Sequence, residues 1–87
     1  MKNITEIVLE RIDIVEEKIK KSKVEMENLK SEIERKQNAM ANINFDYQNL
    51  YQITNQISNH YYELHTHEQY IKSREVELEF YYRELEE

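Results

Sequence analysis

The chain contains no glycine, proline, cysteine or tryptophan. Without glycine or proline there is little to interrupt a helix, so the sequence predicts long continuous helices. The absence of cysteine excludes disulfides and thiol chemistry. The longest apolar runs, such as Ile7-Val8-Leu9, are only three residues long, so neither a membrane span nor a signal peptide is expected. The 87 residues are enough for one small domain but too few for an enclosed active site.

Charge is distributed unevenly along the chain. Residues 1–43 carry nine basic and nine acidic side chains, whereas residues 44–87 carry three and nine, which gives the net charge of −6. An acidic half argues against nucleic-acid binding, which needs a cationic surface. The basic cluster from Lys18 to Lys23 is expected to be a solvated helix face. Abundant Ile, Asn, Lys and Tyr, with only two Ala, are typical of AT-rich codons and indicate a bacterial or phage source.

A heptad repeat runs through the whole chain. The positions 5, 8, 12, 15 and onward to 85 form 24 core sites, of which 18 are apolar or tyrosine. At the overall hydrophobic content, about nine would be expected by chance. This pattern predicts a coiled-coil seam, with Tyr47, Tyr61 and Tyr82 inside it. Asn3 followed by Glu6 predicts a capping box at the helix start.

Residues 38–50, NAMANINFDYQNL, carry one charge and decide whether the helix continues or turns back. Asp46 suits a helix N-cap, with Phe45 and Leu50 placed as a hydrophobic staple around it. Asn42 and Asn44 tolerate a left-handed helix end.

Folding the chain so that facing residue numbers add to 90 aligns the seam and brings polar sites together, with Lys36 opposite Thr54 and Ser22 opposite Glu68. The sequence therefore predicts an all-α fold, an antiparallel two-helix hairpin forming a single domain. Its expected bounds are helix 1 at about 3–42, a turn at about 43–46 and helix 2 at about 46–86. The alternative is a single continuous parallel coiled coil, ~130 Å long.

A two-helix hairpin buries only one seam, which leaves strongly apolar residues outside it. These are Ile4, Ile7, Leu9, Ile14, Tyr51, Ile53, Tyr62, Tyr70, Phe80 and Tyr81. The subset Ile4, Ile7, Leu9, Phe80 and Tyr81 converges near the termini and is the predicted partner interface, because exposed apolar patches commonly mark binding sites. Two hairpins forming a four-helix bundle would cover it, so we expect a homodimer or a helical hetero-partner, and no nucleic-acid or membrane partner.

One cluster has residue types that zinc accepts, namely His60, Glu63 and His67, spaced along one helical face. It lacks an HExxH arrangement, a cysteine and a fourth ligand, so we predict no metal site. The pairing predicts instead that His60 faces Glu32 and His67 faces Glu25, with a pH-responsive contact as an alternative. No nucleophile–base constellation or phosphate loop is present. We therefore predict a protein that is not an enzyme and needs no cofactor.

A hairpin of about ninety residues with a C-terminal Tyr-x-x-x-acid motif resembles the small helical proteins of type VII secretion. The matching residues are Tyr82-Arg83-Glu84-Leu85-Glu86, and Phe80 with Glu84 resembles the Phe-x-x-x-Asp variant of partners of LXG toxins. The turn carries Asn44-Phe45-Asp46 where WXG-type members have Trp-x-Gly. The resemblance implies that Tyr82 and Glu86 form a secretion signal.

The sequence thus favours a protein–protein interaction module acting through helix-on-helix recognition, such as a small phage or bacterial regulator. Alternatives are a type VII secretion partner of a larger toxin and a structural coiled-coil spacer. We expect a cytoplasmic protein, or one exported by a route independent of a signal peptide.

Overall fold

The computed structural model describes residues 2–42 and 46–86 of the chain. Helix α1 spans Ile4–Ala41 and helix α2 spans Tyr47–Glu86. The two helices pack against each other, and the molecule measures 66 × 18 × 15 Å. The predicted all-α hairpin is confirmed. The alternative of one continuous helix is wrong, because α1 ends at Ala41 and the chain then returns along it.

Both helices begin with the caps that the sequence indicates. Asn3 has an extended backbone, and its side-chain oxygen accepts a hydrogen bond of 2.8 Å from the backbone N–H of Glu6. Asp46 Oδ1 accepts hydrogen bonds of 3.2 and 3.3 Å from the N–H groups of Gln48 and Asn49. These oxygens satisfy backbone donors that have no partner within the first turn.

The end of α1 differs from its predicted form. Asn42 has φ −104° and ψ 2°, so it is not left-handed. Its backbone N–H is bonded to the carbonyl oxygens of Ala39 and Met40, and its side-chain Nδ2 donates to the carbonyl oxygen of Asn38 at 3.2 Å. The side chain of Asn42 therefore gives the Asn38 carbonyl a hydrogen bond, a role that a left-handed residue commonly fills at the end of a helix. The predicted roles of Asn44 and Phe45 fall outside the described residues.

A single seam between the helices forms the core. The buried residues are Ile12, Val15, Ile19, Ser22, Ile33, Ile57 and Ile71. Val15, Ile19 and Ile71 pack together, and the partly buried Met26, Leu78 and Tyr81 pack against them. Residues 2–42 and 46–86 form no third element that could cover the hairpin, so the other faces of both helices meet solvent.

The predicted heptad frame holds for α1 but is wrong at alternate sites of α2. From Val8 to Met40, every predicted core site of α1 is buried or half-buried. In α2 the sites 50, 57, 64, 71, 78 and 85 also point inward, but the second stripe is 53, 60, 67, 74 and 81, one residue earlier than predicted. Tyr47, Tyr61 and Tyr82 are consequently 77%, 50% and 45% exposed.

The second inward stripe of α2 is shifted because the two possible stripes would bury different polar side chains. The predicted stripe would place two carboxylates, Glu68 and Glu75, inside the seam, at a large desolvation cost. The observed stripe brings in His60, His67 and Arg74. An imidazole can be buried in its neutral form, and an arginine can bury its stem while its charged end reaches an anion.

Candidate interaction surface

His67 lies inside the seam with both ring nitrogens close to polar atoms of α1. Its Nδ1 is 2.7 Å from Ser22 Oγ, and its Nε2 is 3.1 Å from Glu25 Oε2. The predicted pairing of His67 with Glu25 is confirmed. The predicted layer of Ser22 with Glu68 is wrong, because the shifted stripe puts His67 opposite Ser22 and leaves Glu68 exposed.

His60 occupies the next polar layer and contacts a different kind of group. Its Nε2 is 2.7 Å from Lys36 Nζ, so the predicted pairing of Lys36 with Thr54 is wrong. Because an ammonium can only donate, Nε2 accepts this bond and the ring proton sits on Nδ1. That Nδ1 is buried and has no hydrogen-bond partner.

Glu32, the predicted partner of His60, forms its ion pair within α1 instead. Its Oε2 is 2.6 Å from Arg35 Nη2. This hydrogen bond is the main cause that lowers the pKa of Glu32 below its ordinary value, and the nearby charges of Arg35 and Lys36 add to it.

The histidines face the seam, so they do not assemble the cluster that their spacing suggested. Within residues 2–42 and 46–86, no three His, Cys, Asp or Glu side chains converge as metal ligands would. His60 and His67 are each held by a contact across the hairpin, to Lys36 and to Ser22 with Glu25. Their evident role is to fill polar layers of the seam.

Two broad faces flank the seam. One contains a groove lined by Lys18, Lys21, Thr66 and Tyr70 beside His67, and we call this side the Tyr70 face. Steps of seven residues keep a side chain on the same side of a coiled-coil helix. The α1 row of this face is therefore Ile4, Ile7, Arg11, Ile14, Lys18 and Lys21, and its α2 row includes Tyr70, Ser73, Glu77, Phe80 and Glu84.

The opposite side carries direct bonds between the helix flanks, and we call it the Tyr82 face. Tyr82 donates a hydrogen bond of 2.6 Å to Glu16, and Tyr61 accepts one of 3.3 Å from Gln37. The bond to the Glu16 carboxylate is the main cause that raises the pKa of Tyr82. Leu9 lies seven residues before Glu16 and so belongs to this face.

The five residues of the predicted interface divide among three places. Ile4, Ile7 and Phe80 are exposed on the Tyr70 face, and Leu9 is exposed on the Tyr82 face. Tyr81 is half-buried against the core. Its hydroxyl donates to Glu77 at 3.0 Å, and its ring meets that of Phe80 edge to face at a centroid distance of 6.1 Å.

The structure adds one residue that the predicted interface omits. Ile14 is 49% exposed and follows Ile7 by seven residues, so both lie in the α1 row of the Tyr70 face. The spacing of seven was the signal available in the sequence. Proximity to the termini, which selected the predicted set, could not separate the two faces.

The molecule has more surface than its mass alone would require. Its solvent-accessible area is 7049 Å², whereas a compact monomer of 10.8 kDa exposes about 5,500 Å². The excess, about 1,500 Å², reflects a fold with one packed seam and no second layer. Several large apolar side chains contribute to it, including Ile4, Ile7, Ile14 and Phe80.

Neither described helix has the combination of length and apolar character that crossing a membrane requires. No family model, curated protein or solved structure matches the chain.

Proposed function

We propose that this chain is a non-enzymatic protein–protein interaction module that works by helix-on-helix recognition. Apolar side chains at the open end of the hairpin, where both termini lie, supply affinity, and the unequal charge of the two helices sets orientation. The partner is a second copy, which completes a four-helix bundle, or another helical protein. A small phage or bacterial regulator that binds and occludes a target would use such a module.

The observation that supports this proposal is the mismatch between apolar content and burial. Within residues 2–42 and 46–86, only six apolar residues are buried, all in one seam. Ile4, Ile7, Ile14 and Phe80 stay exposed near one end of the hairpin. Large apolar residues that gather on one exposed surface commonly mark a binding site.

The test compares two double variants, each of which replaces two exposed apolar residues by serine. Ile7→Ser with Phe80→Ser removes apolar groups at the open end, and Val24→Ser with Val76→Ser removes them from exposed positions elsewhere on the two helices. We expect the first pair to weaken self-association in sedimentation equilibrium while the second leaves it unchanged. Circular dichroism should show helical hairpins in both.

Equal association constants for the two double variants would show that the apolar residues of the open end do not mediate self-association. Tyr81 is left unchanged in this test because it packs against the core, so replacing it would also destabilise the hairpin itself.

A secretion partner is the second candidate, since both residues of the Tyr-x-x-x-Glu motif are exposed at the end of α2. In a host with a type VII system, Tyr82→Ala with Glu86→Ala should abolish export. The control, Tyr62→Ala with Glu79→Ala, changes exposed residues of the same types on the same helix. Equal export of the two would reject this candidate.

A further inference from the structure

We infer that the partner of the Tyr70 face is a second copy of this chain, related by a two-fold axis that runs parallel to the helices. In this arrangement α1 of each copy packs on α2 of the other, and both open ends lie together. The inference rests on the proposed function and specifies its partner, face and orientation.

Charge complementarity is the first argument. From residue 4 to residue 21, the α1 row of the Tyr70 face has only apolar and basic members, with Arg11, Lys18 and Lys21 as its cations. Over the same length of the hairpin, the charged members of the α2 row are both acidic, Glu77 and Glu84. A face with one cationic row and one anionic row complements itself only when unlike rows meet.

These cations are also available for a partner. Among the described residues, no ion pair within 4.0 Å involves Arg11, Lys18 or Lys21, and none involves Glu84. Glu77 is different, because it already pairs with Arg74 at 2.8 Å. Over the same length the Tyr82 face lacks such a division, because its α1 row carries Asp13 and Glu16 while its α2 row carries Glu75 and Glu79.

The apolar residues match under the same arrangement. The contacts across the hairpin show which residues of the two helices lie at the same level. The numbers of two residues in contact add to between 89, for Ser22 with His67, and 98, for Glu16 with Tyr82. Ile14 is therefore level with the turn of α2 that carries Phe80. A two-fold axis parallel to the helices preserves these levels, so Ile14 of each copy meets Phe80 of the other.

A two-fold axis perpendicular to the helices would match neither the charged rows nor the apolar residues. It would place α1 on α1 of the partner and so bring like-charged rows together. It would also send the two open ends to opposite ends of the assembly, separating the apolar clusters by roughly the 66 Å length of the hairpin.

The exposed area is sufficient for such a dimer. A stable interface of ordinary size removes about 800 Å² from each partner. The molecule exposes about 1,500 Å² more than a compact protein of its mass, so burial on this scale would still leave the other faces solvated.

A charge-reversal experiment tests the arrangement. In one variant, Arg11→Glu and Lys18→Glu make the α1 row acidic. In the other, Ser73→Lys and Glu84→Lys make the α2 row basic. Each variant should self-associate on the order of 100-fold more weakly than the original chain, and a 1:1 mixture should recover a heterodimer, because both of its row contacts then pair unlike charges.

The orientation is tested with spin labels, which the absence of cysteine makes simple. A single label at Gln48→Cys lies at the turn end of each hairpin. Interlabel distances below about 30 Å support the parallel axis, given helix spacings of 8–10 Å. A distance near 60 Å would overturn it.

Self-association of the unmodified and the charge-reversed chains distinguishes the partner from the face that binds it. If the unmodified chain is monomeric at 1 mM by sedimentation equilibrium, a second copy is not the partner. If it dimerises but both charge-reversed variants do so equally well, the proposed self-association stands and the Tyr70 face is wrong.

Discussion

Replacing Ile71 by alanine should remove a large share of the stability of the hairpin. Ile71 is 8% exposed and packs with Val15 and Ile19 at the centre of the seam. The change removes three carbon atoms, which at ~0.8 kcal/mol each corresponds to about 2.4 kcal/mol of transfer free energy. Measured Ile→Ala costs range over roughly 2–5 kcal/mol. Ile71 also borders an open groove with Met26, so the site can rehydrate or collapse, and we expect ~2–3 kcal/mol.

That loss is large for a chain of this size. At 0.05–0.15 kcal/mol per residue, 87 residues correspond to about 4–13 kcal/mol in total. The assay is urea denaturation followed by circular dichroism, with all variants at one protein concentration because association adds to apparent stability. The midpoint should fall while the slope with denaturant stays constant.

Val76→Ala is the matched control on the same helix. Val76 is 66% exposed, and alanine has the higher helix propensity, so its effect should stay within about 0.5 kcal/mol. If the two variants lose equal stability, Ile71 does not lie in a packed seam and the assigned inward stripe of α2 is wrong.

Three further predictions address the cap, a polar layer and pH. Asp46→Ala should cost about 1 kcal/mol in urea denaturation because it removes the N-cap of α2, and no loss would mean that the cap is unimportant. Ser22→Ala should cost roughly 1–2 kcal/mol of stability because it leaves His67 Nδ1 without a partner. Adding His67→Leu should recover that loss. A double-mutant cycle that shows no coupling between the two positions would contradict the contact. The pKa of Tyr82 is raised above its ordinary 10.0, so the stability that its hydroxyl contributes is complete below pH 10 and is lost as pH rises through the raised value. Tyr82→Phe should therefore flatten the alkaline part of the stability profile relative to a Tyr47→Phe control, and two identical profiles would exclude this contribution.

The sequence was sufficient to predict the hairpin and its approximate bounds. The capping residues Asn3 and Asp46 marked both helix starts, and the heptad repeat predicted the inward face of α1 correctly from Val8 to Met40. These signals are local, because a cap or a periodic stripe is contained within one or two turns.

The inward stripe of α2 could not be found from the same pattern. Its two possible stripes contain similar numbers of apolar residues, so apolar periodicity alone could not choose between them. The choice depended on whether burying the carboxylates of Glu68 and Glu75 costs more free energy than burying the imidazoles of His60 and His67. That cost depends on which α1 groups lie opposite them. The predicted interface was chosen by proximity to the termini. It therefore did not separate the residues of the Tyr70 face from those of the Tyr82 face.

The polar layers also help to explain why one alignment of the helices is preferred. Ser22 and Lys36 each meet a histidine across the seam. A slip of one heptad would move His67 opposite Val15 or Leu29, leaving ring nitrogens without partners in an apolar layer. Polar groups at core positions commonly specify register in this way, at some cost in stability.

Small-angle scattering combined with light-scattering mass tests the central claim most directly. If two hairpins associate side by side, the mass should be twice 10.8 kDa and the maximum dimension should stay close to the 66 Å length of one hairpin. The mass of a single chain at all concentrations would contradict self-association. A maximum dimension near ~130 Å would contradict the hairpin itself, since that is the length of one continuous helix.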